Sequence, residues 1–308
     1  MTSKVLNAWP EVGLSSVGNP VSRICFESTS IPGGVTIGKP RQTAEGDYEI
    51  TVVMEKANLV MAPDHILVAD GLVRKFEVLQ ERPNSIHVTI TLEHPVVPEK
   101  DESPGTPHLT RFVFPREPLR QVFQGRIIGI DPGHGGKDRG VKGPVNLLEK
   151  DVSMSIAREL QDLLLGCGAV PVMTRTDDAT IGHEERLRTL RNRSAELCVQ
   201  VHVSGHRDPH WQKYRWFAKK GCGQSVSLGM NIGEALLERM GIRIEGPGAL
   251  PDAIWDSTPF PVAQIEPLCL THFVDEANFR APLFRKRIGQ AIYNGIHRWI
   301  LASRRKAS

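Results

Sequence analysis

The chain has 308 residues, of which 40% are hydrophobic and 24% are charged, so it can bury a core and is not a disordered chain. Its formal net charge of +3 is only mildly basic, and no segment combines aromatic and basic residues as single-strand binders do. These features argue against nucleic acid as a partner, and the length favours two domains.

The cysteines do not form a recognisable framework. They are odd in number, they are scattered, and no two of them have the C-x-x-C spacing: Cys25, Cys167, Cys198, Cys222 and Cys269. We therefore expect neither a disulfide scaffold nor a zinc site made of thiolates.

The sequence as given shows no recognisable targeting signal. The first twenty residues show no apolar core followed by a cleavage-like site, so we find no signal peptide in the sequence as given. No apolar run is long enough to span a bilayer, so we expect no transmembrane segment.

The amino-terminal third predicts a small β domain. Residues 1–45 are rich in Gly, Pro, Ser and Thr, so we expect little regular structure there. From residue 46 to 115 the pattern changes, and in Ser85–Leu92 every second residue is apolar, as in a half-buried strand. Segments 48–54, 74–79 and 110–114 predict further strands, whereas the Pro-rich, charged segment 95–108 predicts a loop. We expect a smaller, all-β domain, with a sandwich architecture.

The remaining chain, residues 124–303, alternates predicted strands with predicted helices. Such alternation is typical of an α/β fold with a mostly parallel, twisted sheet flanked by helices. The apolar residues of the last helix, Ile288, Ile292 and Ile296, recur at helical spacing. The predicted strands are 126–130, 169–173, 197–203 and Val262–Glu266, and the predicted helices are 147–165, 187–193, 226–240 and 284–301.

Polar residues that can carry chemistry follow three of these strands. His134 follows the first strand, His202 ends the third and Glu266 ends the fourth, while Glu149 opens the first helix. Ligands of open α/β sheets bind at the carboxyl ends of the strands, so these four side chains are expected to meet. Two histidines and one glutamate with an open position form a catalytic zinc set, and the other glutamate can act as general base.

Each residue also has a structural interpretation. The glycines around His134 can make a tight turn, and His202 can be a hydrogen-bonded core histidine. Asn146 and Glu149 have the spacing of a capping box, which by itself explains that glutamate. Glu266 is harder to explain in this way, because burying an unpaired carboxylate costs several kcal/mol. The site hypothesis therefore rests on the convergence of all four residues.

Other catalytic motifs fail at specific positions. Asp138 occupies the third glycine position of a dinucleotide-binding loop and also the Ser/Thr position of a P-loop. His183 and Glu184 begin an H-E-x-x-H motif, but Leu187 stands where the second histidine is needed. No G-x-S-x-G nucleophile motif is present.

The sequence resembles the zinc-dependent N-acetylmuramoyl-L-alanine amidases of the amidase 3 type. The likeness begins with 128–138 (IGIDPGHGGKD), which is similar to the family's first strand and zinc-binding loop. It continues through 148–152 (LEKDV), 174–178, 185–186 and 191–193, to 201–203 (VHV) and 264–266 (QIE). These segments keep the family's order and spacing over residues 126–301, and the first motif is specific.

The resemblance implies a function and a set of roles. His134, Glu149 and His202 would hold Zn²⁺, and Glu266 would be the catalytic general base that assists a metal-activated water. The reaction would be hydrolysis of the amide between N-acetylmuramic acid and L-alanine. The partner would be peptidoglycan, as muropeptides or glycan strands, at the bacterial cell wall or in the periplasm, with or without an activator protein.

The sequence also departs from the family pattern. Gln200 and Ser204 flank His202 where the family has Ser and Asn, and Pro267 follows the catalytic glutamate in place of a small residue. Two alternatives therefore stay open: a catalytically weak or inactive peptidoglycan-binding protein with the same fold, and a zinc hydrolase that acts on another amide. The β domain weakly resembles the AMIN domain, which attaches some of these amidases to the wall, through residues 70–73 (DGLV).

Overall fold

The computed structural model describes residues 2–44, 46–68, 70–208 and 210–307, with side chains to residue 304. The chain divides into two compact units, Met1–Leu119 and Arg120–Ser308. All five cysteines are free thiols. Within the described ranges, no helix combines the length and the apolar composition that crossing a membrane requires.

The first unit is built from two β-sheets. Its strands are β1 (Ser3–Leu14), β2 (Pro20–Ser28), β3 (Gly34–Ile37), β4 (Arg41–Gln42), β5 (Tyr48–Glu55), β6 (Ala57–Leu59), β7 (Asp64–Leu67), β8 (Val73–Arg82), β9 (Ser85–Leu92), β10 (Glu99–Ser103) and β11 (His108–Pro115). One sheet has the order β10-β11-β2-β1-β6, and the other has the order β3-β5-β9-β8-β7, with β4 paired to β5. Phe26 of the first sheet contacts Phe76 of the second edge to face, so the apolar faces of the two sheets pack together.

Two expectations for this unit are wrong. Residues 1–45 contain four strands, β1 to β4, rather than little regular structure. β1 and β2 form an antiparallel hairpin, but β1 also pairs with β6 and β2 with β11, which are distant in sequence, and composition cannot reveal such pairing. The predicted loop 95–108 contains β10, a charged strand at the edge of its sheet. Charged residues are common on edge strands because they discourage further pairing.

The second unit is the expected α/β fold, with a six-stranded sheet. The strand order is β13-β12-β14-β17-β15-β16, in which only β15 and β17 pair antiparallel. The elements, from the helix α1 that contains the division between the units, are α1 (Glu117–Phe123), β12 (Ile127–Pro132), α2 (Glu149–Gly166), β13 (Val170–Met173), α3 (His183–Asn192), β14 (Leu197–Val201), β15 (Arg215–Ala218), α4 (Gly223–Met240), β16 (Glu245–Ala249), a 3-10 helix (Ala253–Ser257), β17 (Val262–Glu266), α5 (Phe273–Arg280) and α6 (Pro282–Ala307).

The central strands are buried on both faces. Every residue of β14 and of β17 is buried, as is typical of a parallel sheet covered by helices. The helix α2 packs on β12, β13 and β14, and α6 packs on α2 and α4. Ile288, Ile292 and Ile296 are fully buried, which confirms the predicted apolar face of α6. This packing places the carboxyl ends of β12, β14 and β17 along one edge of a rigid sheet.

Candidate metal centre and its cavity

The structure brings His134, Glu149 and His202 together. His134 lies just beyond the end of β12, His202 follows β14 directly, and Glu149 is the first residue of α2. One ligand atom from each residue lies within 4.8 Å of the others. The two imidazole rings meet edge to face, with their centroids 5.1 Å apart. This geometry brings two nitrogen donors and one oxygen donor to a single point.

Glu149 links the two histidines. Its Oε2 lies 3.1 Å from Nε2 of His134, and its Oε1 lies 3.0 Å from Nδ1 of His202. The same two oxygens accept hydrogen bonds from the backbone N–H groups of Val141 and Val203, respectively. Burial of Glu149 opposes its ionisation, but the hydrogen bonds with the two histidines prevail and hold the pKa of this carboxyl well below its usual range. Glu149 is therefore a fully engaged, ionised carboxylate.

The alternative role of Glu149 in a capping box does not match the structure. The N-cap residue of α2 is Leu148, whose side chain cannot accept a hydrogen bond, and Asn146 lies upstream with a φ of 70°. The turn before α2 is instead held from α5, because the carboxylate of Glu276 accepts hydrogen bonds from the N–H groups of Val145 and Leu147. The Glu149 carboxylate is thus free of any capping role and is directed at the histidines.

The loop that carries His134 has little room for side chains. A Cβ atom on Gly133 would lie 2.4 Å from the ring of His202, and one on Gly140 would lie 2.5 Å from the ring of His134. Gly140 also has a φ of 62°, a conformation that L side chains rarely adopt. His134 itself has a φ of 60°. The glycines of the 128–138 motif and its continuation therefore let the backbone approach the two imidazoles closely.

Two buried arginines donate hydrogen bonds to the backbone of the loop that carries His134. Arg175 donates hydrogen bonds to the carbonyl groups of Pro132 and Gly133, and Arg186 donates to those of Pro132 and His134. Each arginine is almost fully buried, at 3% and 4% exposure, respectively. Because a guanidinium presents several donors in one plane, these contacts restrain three consecutive carbonyl groups.

Asp131 compensates the buried charge of Arg186. Its Oδ1 accepts from Nη1 of Arg186 at 2.8 Å, and it also accepts from Thr174 and from Nε2 of Gln200. Burial opposes ionisation of Asp131, yet Arg186 and the hydrogen bonds prevail and keep the pKa of this carboxyl below its usual value. Gln200, one departure from the family pattern, thus belongs to the support of the loop.

Ser204, the second departure, also has a structural role. Its hydroxyl group donates to the carbonyl oxygen of Leu268 or of Lys213, each at 3.1 Å. The N–H group of Ser204 donates a hydrogen bond to the carbonyl oxygen of Leu268, and the N–H group of Leu270 donates one to the carbonyl oxygen of Ser204. Ser204 therefore ties the segment after His202 to the segment after Glu266.

Glu266 lies at the end of β17 and is 7% exposed. Its Oε1 accepts a hydrogen bond from Gln264 at 3.0 Å, and its Oε2 faces Nη2 of Arg215 at 3.3 Å. Burial raises the pKa of Glu266 above its usual value, and the charges of Arg215 and His202 offset part of this effect. A carboxylate held in this way can exchange a proton closer to neutral pH than an exposed one.

All four residues line one cavity of about 540 Å³. His183, Asp252 and Trp255 form another part of its wall, where His183 accepts a hydrogen bond from Trp255 and pairs with Asp252 at 3.3 Å. The expected convergence of the four side chains is therefore present in the structure. Whether the three proposed ligands hold a metal, and whether Glu266 is catalytic, stay predictions.

Sequence reasoning missed several residues of this cavity. Arg215 lies on β15, which was not predicted, although Trp216 and Ala218 are buried alternately with their neighbours along the strand. Trp255 lies in a short 3-10 helix, and Asp252 directly precedes it. The sequence of this helix has no periodic pattern. His206 and His210 are exposed, and in the part of the chain that is described the group that could hold a metal ion consists of His134, Glu149 and His202.

Fold and cavity together define an α/β unit with a His-Glu-His group at the carboxyl edge of its sheet. A family model described as N-acetylmuramoyl-L-alanine amidase (Amidase_3) matches residues 128–298. The chain therefore belongs to the Amidase_3 family.

Similar proteins agree with this assignment. The N-acetylmuramoyl-L-alanine amidase LytC of Bacillus subtilis is 26% identical over 179 residues, which are 58% of this chain and 36% of LytC. The germination-specific N-acetylmuramoyl-L-alanine amidase of the same organism is 27% identical over 59% of this chain and 83% of its own length. The probable cell wall amidase LytH of Staphylococcus aureus is 29% identical over 58% of this chain and 59% of LytH. The match thus spans about a third of LytC, and all three relatives are amidases by name.

Solved structures show the same fold. The amidase AmiC2 of Nostoc punctiforme superimposes with a TM-score of 0.53 at 23% identity, over 59% of this chain and 99% of AmiC2. The CwlD amidase of Clostridioides difficile, solved in complex with the GerS lipoprotein, gives a TM-score of 0.53 at 22% identity, over 58% of this chain and all of CwlD. At these identities the likeness concerns the fold alone.

Proposed function

We propose that this protein is a zinc-dependent N-acetylmuramoyl-L-alanine amidase, which hydrolyses the amide between N-acetylmuramic acid and L-alanine in peptidoglycan. The observation that carries the proposal is the convergence of His134, Glu149 and His202 within 4.8 Å, in a cavity that also contains Glu266. Membership of the Amidase_3 family supports the substrate class.

The residues fit zinc by the chemistry of their donor atoms. Two imidazole nitrogens and one carboxylate oxygen form a set that catalytic zinc sites use, with one position left for water or substrate. His134 would bind through Nε2, because its Nδ1 is paired with Asp138, and His202 would bind through Nδ1. A zinc ion bound there supplies a Lewis acid that polarises the amide carbonyl group and lowers the pKa of a water molecule.

Glu266 would move the protons. As a carboxylate it can accept a proton from the attacking water, and as a carboxylic acid it can then donate that proton to the nitrogen of the leaving L-alanine. Burial raises the pKa of Glu266, which makes its protonated form easier to reach than that of an exposed carboxyl group. Gln264 and Arg215 hold one oxygen each, so the carboxylate keeps one orientation.

Digestion of purified sacculi tests the proposal. The zinc-loaded protein should release complete stem peptides and leave intact glycan strands with free lactyl groups, as measured by mass spectrometry. Glu266→Gln should retain bound zinc but lose activity by a factor of about 10²–10⁴, the usual contribution of a general acid–base group. Glu234→Gln, an exposed residue of α4, is the matched control and should be fully active.

The same assay distinguishes the two alternatives. Zinc-loaded protein that pellets with sacculi but releases nothing would be the inactive wall-binding protein. Products cut within the stem peptide would indicate a hydrolase for another amide. Cleavage by the purified chain alone would exclude an absolute requirement for an activator protein.

We further propose that the protein works at the cell wall and that its first unit, like an AMIN domain, attaches it there. The DGLV segment that suggested this domain forms a turn, in which Asp70 accepts hydrogen bonds from the N–H groups of Leu72 and Val73. The two packed sheets of this unit are consistent with a binding module. Co-sedimentation with sacculi should weaken when residues 1–119 are deleted, and equal binding would assign the attachment to the second unit.

A further inference from the structure

Arg215 occupies a position between Glu266 and the open part of the cavity. It begins β15 directly opposite Glu266 in the antiparallel register with β17. Its Nη2 lies 3.3 Å from Oε2 of Glu266, and it lines the same cavity. The Arg215 side chain is 42% exposed, whereas that of Glu266 is 9% exposed. The guanidinium group therefore has one side on Glu266 and another side that a ligand can reach.

Two aromatic rings hold the guanidinium group in place. Its central carbon lies 5.4 Å from the centroid of Trp211 and 5.3 Å from that of Phe217. His206 stacks on Trp211 with a centroid distance of 5.0 Å. An arginine held by aromatic rings loses less conformational freedom when it binds a partner than a mobile side chain does.

Most donors of Arg215 are unused. A guanidinium group has five N–H donors, and Glu266 takes one of them. Among the residues that the structure describes, the buried Nε finds no acceptor, and the outer edge with Nη1 makes no hydrogen bond. The outer edge of such a group matches a carboxylate, which can take two parallel hydrogen bonds.

We propose that Arg215 determines the substrate specificity of this cavity. Its guanidinium group binds a free carboxylate of the substrate, on the peptide side of the scissile amide. The inference rests on the proposed function, in which Glu266 donates its proton to the leaving alanine nitrogen. Because Arg215 contacts Glu266, it lies next to that leaving group rather than next to the sugar. The preferred substrates are therefore peptides whose residue after alanine carries a free carboxylate near the main chain, rather than the corresponding carboxamide.

Two matched probes test the preference for a free carboxylate over a carboxamide. Both are N-acetylmuramoyl-L-alanyl-D-glutamate with the γ-carboxyl blocked as a methylamide, and the α-carboxyl is free in one and amidated in the other. The full, zinc-loaded chain should cleave the free acid with a kcat/KM about tenfold higher or more, as expected for a charge-assisted bidentate contact. In Arg215→Gln this ratio should fall to about one, whatever the loss of overall activity caused by altering the neighbour of Glu266.

Control variants isolate the role of the planar guanidinium group of Arg215. Arg207→Gln removes an exposed arginine of the same segment and should keep the ratio of the wild-type protein. Arg215→Lys keeps the charge without the planar fork and should show an intermediate ratio. A ratio near one in the wild-type protein, or an unchanged ratio in Arg215→Gln, would overturn the proposal.

Binding of the probes separates this inference from the amidase function. Calorimetric titration of both probes into Glu266→Gln should show tighter binding of the free acid, and the difference should vanish in the double variant with Arg215→Gln. If neither probe is cleaved by the wild-type protein but this difference is present, the amidase proposal fails and the carboxylate site stands. If the wild-type protein cleaves the probes but does not distinguish the free acid from the amide, only the proposal of the carboxylate site fails.

Discussion

The Nδ1 atom of His134 lies 2.8 Å from Oδ2 of Asp138, in the same glycine-rich loop. Burial opposes ionisation of Asp138, but the hydrogen bond with His134 prevails and lowers the pKa of its carboxyl group. An ionised carboxylate at Nδ1 favours a proton on that atom, so Nε2, which faces Glu149, is the nitrogen that a metal ion would take.

Replacing Asp138 should therefore weaken zinc binding without unfolding the protein. In Asp138→Asn the ring of His134 loses its charged partner, and zinc affinity should fall by about 10–100-fold, as for other outer-sphere partners of ligands. Competition with a chromophoric chelator measures this affinity. Asp162→Asn, on the exposed side of α2, is the control and should bind zinc as the wild-type protein does. Equal affinity in Asp138→Asn would show that Asp138 has no part in holding His134.

Zinc should also stabilise the protein against heat. A ligand that binds only the folded state raises Tm by an amount that depends on its concentration, and a chelator should reverse the increase. Glu149→Gln removes the charged donor, so its Tm should be nearly the same with and without zinc. Mg²⁺ is the control ion, because it prefers oxygen ligands and should leave Tm unchanged in both proteins. A zinc-induced shift of wild-type size in Glu149→Gln would contradict the assigned site.

Asp131 should contribute a pH-dependent part of the stability. Its folded-state pKa is lowered, so the stabilisation is fully present above the unfolded value of about 4 and is lost as pH falls through the folded-state pKa. Asp131→Asn leaves Arg186 buried without its counter-charge and should cost about 3–5 kcal/mol at pH 7.

Urea unfolding followed by circular dichroism measures both effects. The difference between wild-type protein and Asp131→Asn should shrink as pH decreases from about 5 to 2, because the wild-type protein then loses the charged interaction. Asp162→Asn again serves as the exposed control. A difference that is independent of pH over this range would show that the charge of Asp131 is unimportant.

Glu276 should determine how firmly the turn before Glu149 is held. It is 1% exposed, and its two oxygens accept from the N–H groups of Val145 and Leu147. In Glu276→Gln one of these oxygens becomes an amide nitrogen, which cannot accept a hydrogen bond. Hydrogen–deuterium exchange at residues 143–149 should therefore accelerate about tenfold or more, while exchange in β14 stays unchanged. Unchanged exchange at the turn would assign its order to other contacts.

Four strands and four helices of the second unit were predictable because their patterns are local. Val262–Glu266 was predicted with the bounds that are observed, and the last helix was predicted from the periodicity of Ile288, Ile292 and Ile296. The four candidate site residues were found because a parallel sheet places the ends of its strands at one edge. By contrast, β15 is short and lies beyond a loop, and β1 and β2 are completed by the strands β6 and β11, which are distant in sequence.

The sequence alone determined which residue types are available and where they lie on strands and helices, because hydrophobic periodicity and glycine placement are properties of neighbouring residues. Only the tertiary structure decided which partners these residues have. Arg215 meets Glu266 across β15 and β17, and Glu276 reaches the turn before α2, through contacts between segments far apart in the chain. Such contacts depend on how the whole unit packs, since a hydrogen bond or an ion pair needs two groups within about 3 Å of each other, whatever their separation in sequence.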